Sequence, residues 1–198
     1  MEITQYQLDA LREIGNIGSA HAATALSTLL QQRIDMTVPK VWAIPFEQIA
    51  AIIGQVDTPQ ATIYVKVEGE APGKAVFYFP VESAENLVKV LLGSKDEIDL
   101  YSDEMAQSAL KEVGNILVSS FIMALTQLSG IPLQPSVPAL AVDMIGASLD
   151  AIFLEEGSLE DTVLFIDTQL IGTPKIEGKL IFLPDEGSLD KLLGAMGL

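Results

Sequence analysis

The stretch Leu11-Arg-Glu-Ile-Gly-Asn-Ile17 decides the fold, because it recurs as Leu110-Lys-Glu-Val-Gly-Asn-Ile116, 99 residues later. The same offset of 99 relates Val38-Pro39 to Val137-Pro138. A repeat unit of half the chain is too long for a solenoid and indicates a duplication with pseudo-two-fold symmetry. We therefore expect one fused domain over residues 1–198, made of two homologous halves, 1–99 and 100–198.

Both halves contain the same order of predicted elements. Apolar residues at helical spacing predict long helices over 5–30 and 104–128, with Asp103 as the N-cap of the second and Gly130 as its end. Extended segments, hairpins and a closing amphipathic helix follow in each half: 34–38, 61–68 with 74–79, and 82–92; then 133–137, 162–169 with 177–183, and 188–196. This order predicts an α+β fold, a pseudo-two-fold duplicated sandwich with a mainly antiparallel sheet and two long helices that carry the repeated motif.

Composition excludes several classes of function. Lys and Arg number 11 against 27 Asp and Glu, so the net charge is −16, which disfavours binding to nucleic acid or to an anionic membrane surface. With no cysteine, disulfides and thiolate chemistry are excluded, and a reducing, cytoplasmic location is expected. The single histidine, His21, is interpreted as a packing residue in the buried part of the first helix, and no metal site or cofactor is expected on this chain.

The mean hydropathy of +0.37 raises the question of membrane spans. Two long segments lack charge, 14–32 and 116–142. The first is rich in Gly, Ala, Ser and Thr, and the second is interrupted by one glycine and three prolines. Because a spanning helix needs about 20 consecutive strongly apolar residues, we expect core helices and no membrane insertion.

The repeated residues form a polar stripe on each long helix. Positions i, i+4 and i+7 share one face, which aligns Asp9, Glu13 and Asn16. The second stripe contains Ser108, Glu112 and Asn115. A lone Glu-x-x-Asn is usually a solvated helix face. Both copies nevertheless keep a Gly-Asn pair in mid-helix, where each residue lowers helix stability, so the pair is expected to be needed by a site. We expect the glycine to let the backbone of another protein come close.

The chemistry of Glu and Asn limits what this site can do. A carboxamide cannot act as a base, but its carbonyl oxygen can accept a hydrogen bond from water and orient it for in-line attack, as phosphoryl transfer requires. The carboxylate can form a charge-assisted hydrogen bond to a lysine of a partner. Such a pair makes sense only if the partner brings the phosphate, and a metal if one is needed.

The full pattern resembles the signature of the CheC, CheX and FliY phosphatases of bacterial chemotaxis. Asp9-x-x-x-Glu13-x-x-Asn16 is followed after 22 residues by Pro39, and Ser108-x-x-x-Glu112-x-x-Asn115 after 22 residues by Pro138. Two intact motifs in a chain of this length are most similar to the CheC type. The resemblance implies a phosphatase that acts on the phosphoaspartate of the response regulator CheY, with magnesium held by that regulator. It also implies that Glu13 and Glu112 pair with the regulator's lysine, while Asn16 and Asn115 orient the water.

The resemblance implies a second partner, the receptor deamidase CheD. Residues 142–147 resemble the family's docking helix for CheD, with Asp143 and Met144 as the contact residues. The alternative is an ordinary helix capped by Asp143. We expect a monomer, because the duplication already builds the symmetry of a dimer into one chain. A non-catalytic adaptor that sequesters phosphorylated CheY or CheD remains the rival function, and the relative strength of the two sites and the roles of Asp9 and Ser108 stay open.

Overall fold

The structure is a computed structural model, and it describes residues 3–36, 40–45, 48–54, 57–153, 162–171 and 176–198. Within these residues there are six helices: α1 (Gln5–Leu30), α2 (Ile49–Ile53), α3 (Val81–Leu92), α4 (Glu104–Ser129), α5 (Ile145–Phe153) and α6 (Ser188–Ala195). The same residues contain eight strands: β1 (Asp35–Met36), β2 (Lys40–Pro45), β3 (Pro59–Gly69), β4 (Gly73–Pro80), β5 (Leu133–Pro135), β6 (Ala139–Met144), β7 (Thr162–Ile171) and β8 (Ile176–Pro184).

The eight strands form one sheet in the order β1-β7-β8-β4-β3-β5, with β2 also on β7 and β6 also on β3. All of its strand pairs are antiparallel. The outer strands of each half of the sequence pair with a strand of the other half. Strands β1 and β2 pair with β7, and strands β5 and β6 pair with β3. The predicted α+β fold with a mainly antiparallel sheet is confirmed.

Both long helices begin and end at residues suited to those positions. Thr4 and Gln7 form a capping box at the start of α1, in which the Thr4 hydroxyl accepts from the Gln7 N–H and the Gln7 side chain accepts from the Thr4 N–H. Asp103 caps α4 by accepting hydrogen bonds from the backbone N–H groups of Met105 and Ala106. Gly130 ends α4 at φ 70°, a conformation that favours glycine. The predicted cap and end of α4 are confirmed.

The central strand β4 is buried on both faces of the sheet. Along β4, Ala75, Phe77 and Phe79 belong to the larger core cluster, which includes residues of α1, α3, α4 and α6. Val76 and Tyr78 point to the other face and pack with residues of α2 and α5. Alternation of side chains along a strand explains this division. The result is a sheet with the two long helices against one face and two short helices against the other.

Helix α4 is long and apolar enough to cross a membrane by length and composition, yet 56% of its most apolar window is buried inside the protein. Burial of that kind is what a core helix requires.

Two expectations from the sequence are wrong. His21 lies exposed on α1, because Gly18 and Ala22 occupy the buried face and leave residue 21 on the solvent side. The segment 142–147 is not a single helix. Asp143 and Met144 end strand β6, opposite Gln60 and Pro59 of β3, and α5 begins at Ile145. The edge of β3 offers hydrogen-bond partners to this short segment, and strand pairing prevails over its helical tendency.

Candidate functional site

The two predicted Glu–Asn couples lie at the protein surface on separate helices. Glu13 is exposed and Asn16 half-buried on α1, and Glu112 is exposed and Asn115 half-buried on α4. In each couple the two residues are three positions apart, so their side chains are neighbours on one helix face. The two glutamates are therefore directly accessible to a docked protein, and the two asparagines are accessible in part.

In the first site the carboxamide contacts its own glutamate. The Asn16 Nδ2 donates a 3.4 Å hydrogen bond to Glu13 Oε2. The Asn16 Oδ1 is buried, and it has no hydrogen-bond partner among the described residues. Leaving a buried acceptor unpaired costs about 1–3 kcal/mol, so a hydrogen-bond donor that reached this oxygen would lower the free energy of the site.

In the second site the carboxamide is held from the other end. The Ser119 hydroxyl, one turn further along α4, donates to Asn115 Oδ1 at 3.4 Å. Within the described part of the chain, no hydrogen bond joins Glu112 to Asn115. The two copies therefore share their residues and their exposure, but differ in the partner that orients the amide.

The supporting motif residues have unequal surroundings. The Asp9 carboxylate accepts from Gln5 Nε2 at 3.1 Å and lies 3.8 Å from Arg12 Nη1, both on α1. Ser108 is exposed at the matching position of α4. Asp9 thus has local partners on its own helix surface.

Of the two prolines of the motif, the structure describes Pro138, which lies outside the two long helices. Pro138 is half-buried in the connection between β5 and β6, which both pair with β3. A proline has no N–H to donate, which suits an interruption between two strand segments on the same neighbour. Pro39 lies outside the described residues.

The glycine before the second asparagine faces the protein interior. Gly114 is buried, and a Cβ placed there would lie 2.6 Å from Ile63 Cγ2 on strand β3 and closer still to Ile63 Cδ1. Gly15 is likewise buried on α1. The expectation that these glycines make room for a partner's backbone is wrong, because at Gly114 the absent side chain lets the helix approach the sheet.

Sequence reasoning missed one pair of surface residues. Tyr6 and Met105 are 99 residues apart in the sequence, and they are 70% and 69% exposed, respectively. Each stands seven positions before the glutamate of its helix, which places it on the same stripe as that glutamate. The signal that could have found them is the internal offset, since both copies keep a large apolar residue where a helix surface ordinarily carries a polar one.

Asp143 and Met144 are exposed, but at the end of a strand. The Asp143 Oδ1 accepts a 2.7 Å hydrogen bond from the Met144 backbone N–H, directly before α5. Met144 is 43% exposed. These residues lie on β6, whereas the Glu–Asn couples lie on α1 and α4.

Comparisons with known proteins agree with this arrangement. The model of the CheC-like family matches residues 7–42 and 105–142, the segments that carry the two motifs. The chain is 36% identical over 200 residues to the CheY-P phosphatase CheC of Bacillus subtilis (strain 168), covering 98% of this chain and 96% of that protein.

Two solved structures are similar in fold. The X-ray structure of Thermotoga maritima FliY is similar with a TM-score of 0.77 and 22% identity, covering 100% of this chain and 98% of that one. The structure of a CheX-CheY-BeF3-Mg complex from Borrelia burgdorferi gives a TM-score of 0.52 and 19% identity, covering 87% of this chain and 98% of that one.

Proposed function

Because the chain belongs to the CheC-like family, we propose that it is a phosphatase that hydrolyses the phosphoaspartate of the chemotaxis response regulator CheY. The observation that carries the proposal is the accessible Glu–Asn couple present on each of two long helices. The 36% identity to a protein named a CheY-P phosphatase supports the same substrate.

In the proposed reaction, water attacks the phosphorus atom of the acyl phosphate. The bond between phosphorus and the aspartyl oxygen breaks, and the aspartate leaves as a carboxylate. One water proton stays on the attacking oxygen and the other passes to a phosphoryl oxygen, which gives dihydrogen phosphate. Asn16 or Asn115 accepts a hydrogen bond from the attacking water through its carbonyl oxygen and aims the water in line with the leaving oxygen. Orientation of that kind supplies most of the protein's contribution to phosphoryl transfer.

The glutamates dock the regulator. Glu13 and Glu112 are exposed carboxylates, and each would form a charge-assisted hydrogen bond with a lysine beside the phosphoaspartate. At the first site this requires an exchange, because Glu13 holds the Asn16 amide before docking. The lysine would replace that amide and release the carboxamide to meet the water.

The apolar side chains of Tyr6 and Met105 extend each docking face by two helical turns. Truncating one exposed apolar anchor at an interface weakens binding without altering the reacting groups. We thus assign docking of the regulator to four side chains, Glu13, Glu112, Tyr6 and Met105. The two asparagines position the attacking water.

Further proposals concern the partners and location. Magnesium would be held by the regulator and no cofactor by this chain, which would act as a cytoplasmic monomer.

Asp143 and Met144 would contact CheD at the end of β6. Asp143→Ala should weaken CheD binding, whereas Asp150→Ala, at an exposed position of α5, should not. Equal affinity of both variants and the original chain would remove Asp143 from the proposed interface.

Turnover distinguishes the phosphatase from an adaptor. With the chain substoichiometric to phosphorylated CheY, each molecule should release many phosphates, and the rate of phosphate loss should rise with the concentration of the chain. An adaptor would bind a stoichiometric amount of phosphorylated regulator and leave the intrinsic rate of phosphate loss unchanged. That second result would reject the proposed enzymatic function.

A further inference from the structure

The two asparagines differ in what holds their carbonyl oxygen. Asn115 Oδ1 accepts from the Ser119 hydroxyl at 3.4 Å. Asn16 Oδ1 is buried with no partner among the described residues. Position 20 is the counterpart of position 119 at the internal offset of 99, and it is occupied by alanine. The first site therefore lacks the donor that the second site has.

This difference affects the direction in which each carboxamide points. The terminal torsion of asparagine is broad and roughly two-fold, so the hydrogen bonds of a carboxamide decide where its oxygen and nitrogen ends point. A carbonyl oxygen has two lone pairs. In Asn115 one lone pair accepts from Ser119, which fixes the oxygen end and leaves the other lone pair for the attacking water.

Asn16 must rearrange before it can do the same work. Its nitrogen end donates to Glu13 Oε2, and its oxygen end is buried. Exchanging the two ends in place would bring the oxygen against the Glu13 carboxylate, which is unfavourable. For the Asn16 oxygen to meet water, Glu13 would first have to release the amide nitrogen, which would set the carboxamide orientation during docking.

We propose that Ser119 is a positioning residue that holds the Asn115 carboxamide ready for water, and that the second site therefore turns over faster than the first. This inference rests on the proposed phosphatase function. Ser119 acts through Asn115, so its removal should lower kcat and leave KM for the phosphorylated regulator unchanged.

Exchange of the two positions provides a reciprocal test, with one site inactivated at a time. In an Asn16→Ala background, where the second site acts alone, Ser119→Ala should lower kcat about two- to tenfold, the size of one neutral hydrogen bond. Ser119→Thr keeps the hydroxyl and should restore kcat. In an Asn115→Ala background, Ala20→Ser should raise kcat of the first site by a similar factor, which no loss of folding could produce.

Nuclear magnetic resonance of the free chain makes the test independent of activity. Ser119→Ala should lower the order of the Asn115 side-chain amide, and Ala20→Ser should raise the order of the Asn16 amide, each compared with the original chain. Ordered Asn115 with no phosphate release at either site would reject the proposed phosphatase and, with it, the inequality of the sites. Phosphate release with kcat and Asn115 order both unaffected by Ser119→Ala would overturn the role of Ser119 alone.

Discussion

Gly114→Ala tests whether the glycine of the repeated motif serves packing or docking. The added methyl would lie 2.6 Å from Ile63 Cγ2 and closer to Cδ1. Ile63 is fully buried, and its strand pairs on both sides, with Phe77 of β4 and Leu140 of β6. The isoleucine therefore has little room to move, and helix and sheet must separate or strain.

The expected magnitude is the difference between two opposing terms. Overpacking a core by one methyl typically costs about 1–3 kcal/mol. Replacing glycine by alanine within a helix gains about 1 kcal/mol. The net loss of unfolding free energy is thus about 1 kcal/mol, with a lower Tm by about 2–4 °C for a chain of this size.

Urea unfolding of matched variants measures this effect. Gly194→Ala in α6 makes the same substitution in a helix where a Cβ meets nothing within 4 Å, so it should raise stability by about 0.5–1 kcal/mol. Ile63→Val removes the nearest atom, Cδ1, and should cost less in the Gly114→Ala background than in the original chain. Gly114→Ala that stabilises the chain as much as Gly194→Ala does would refute the packing interpretation.

Three further outcomes follow from the geometry. Asp103→Ala removes the cap of Met105 and Ala106 and should lower the free energy of unfolding by about 0.5–2 kcal/mol, while Asp103→Asn should lose much less; equal losses in thermal unfolding would exclude a capping role. Lys74 is 4% exposed and pairs with Asp185 at 3.4 Å, so Asp185→Ala should cost about 1–3 kcal/mol in urea unfolding, and a loss below measurement error would contradict that pairing. The double variant Tyr6→Ala, Met105→Ala should raise KM for the phosphorylated regulator about tenfold and leave kcat unchanged. The control Leu128→Ala, at the far end of α4, should leave KM unchanged. A constant KM in the double variant would remove both residues from the docking face.

Much of the fold can be predicted from the sequence where local signals are strong. Helix α1 spans the predicted residues, and α4 ends one residue later than predicted. The ends of α4 could be predicted because Asp103 and Gly130 are strong capping residues. The hairpin of β3 and β4 was also predictable, since both strands lie close in sequence on either side of a glycine turn.

The missed strands depend on partners distant in sequence. Strands β2 and β6 are short, and each becomes a strand by pairing with the other part of the chain: β2 with β7, and β6 with β3. Nothing local in the residues of β6 specifies an extended conformation, and a helix through Asp143 was an equally good interpretation.

Candidate residues for the site could be named from the sequence, but their contacts could not. The offset of 99 indicates Glu13, Asn16, Glu112 and Asn115 as candidates. It also shows that alanine stands at position 20, the counterpart of Ser119. Which end of each carboxamide points outward depends on rotamers and neighbours that become visible only in three dimensions. The interior role of Gly114 required the position of Ile63 on the sheet.

The most direct measurement is the rate of phosphate release from phosphorylated CheY with the double variant Asn16→Ala, Asn115→Ala. Loss of an oriented water should reduce the catalysed rate by about 100-fold or more, while binding to the regulator persists through Glu13 and Glu112. Gln127→Ala, which removes an exposed carboxamide from α4 outside both stripes, should release phosphate at the original rate. A double asparagine variant that folds, binds the regulator and releases phosphate at the original rate would contradict the central claim.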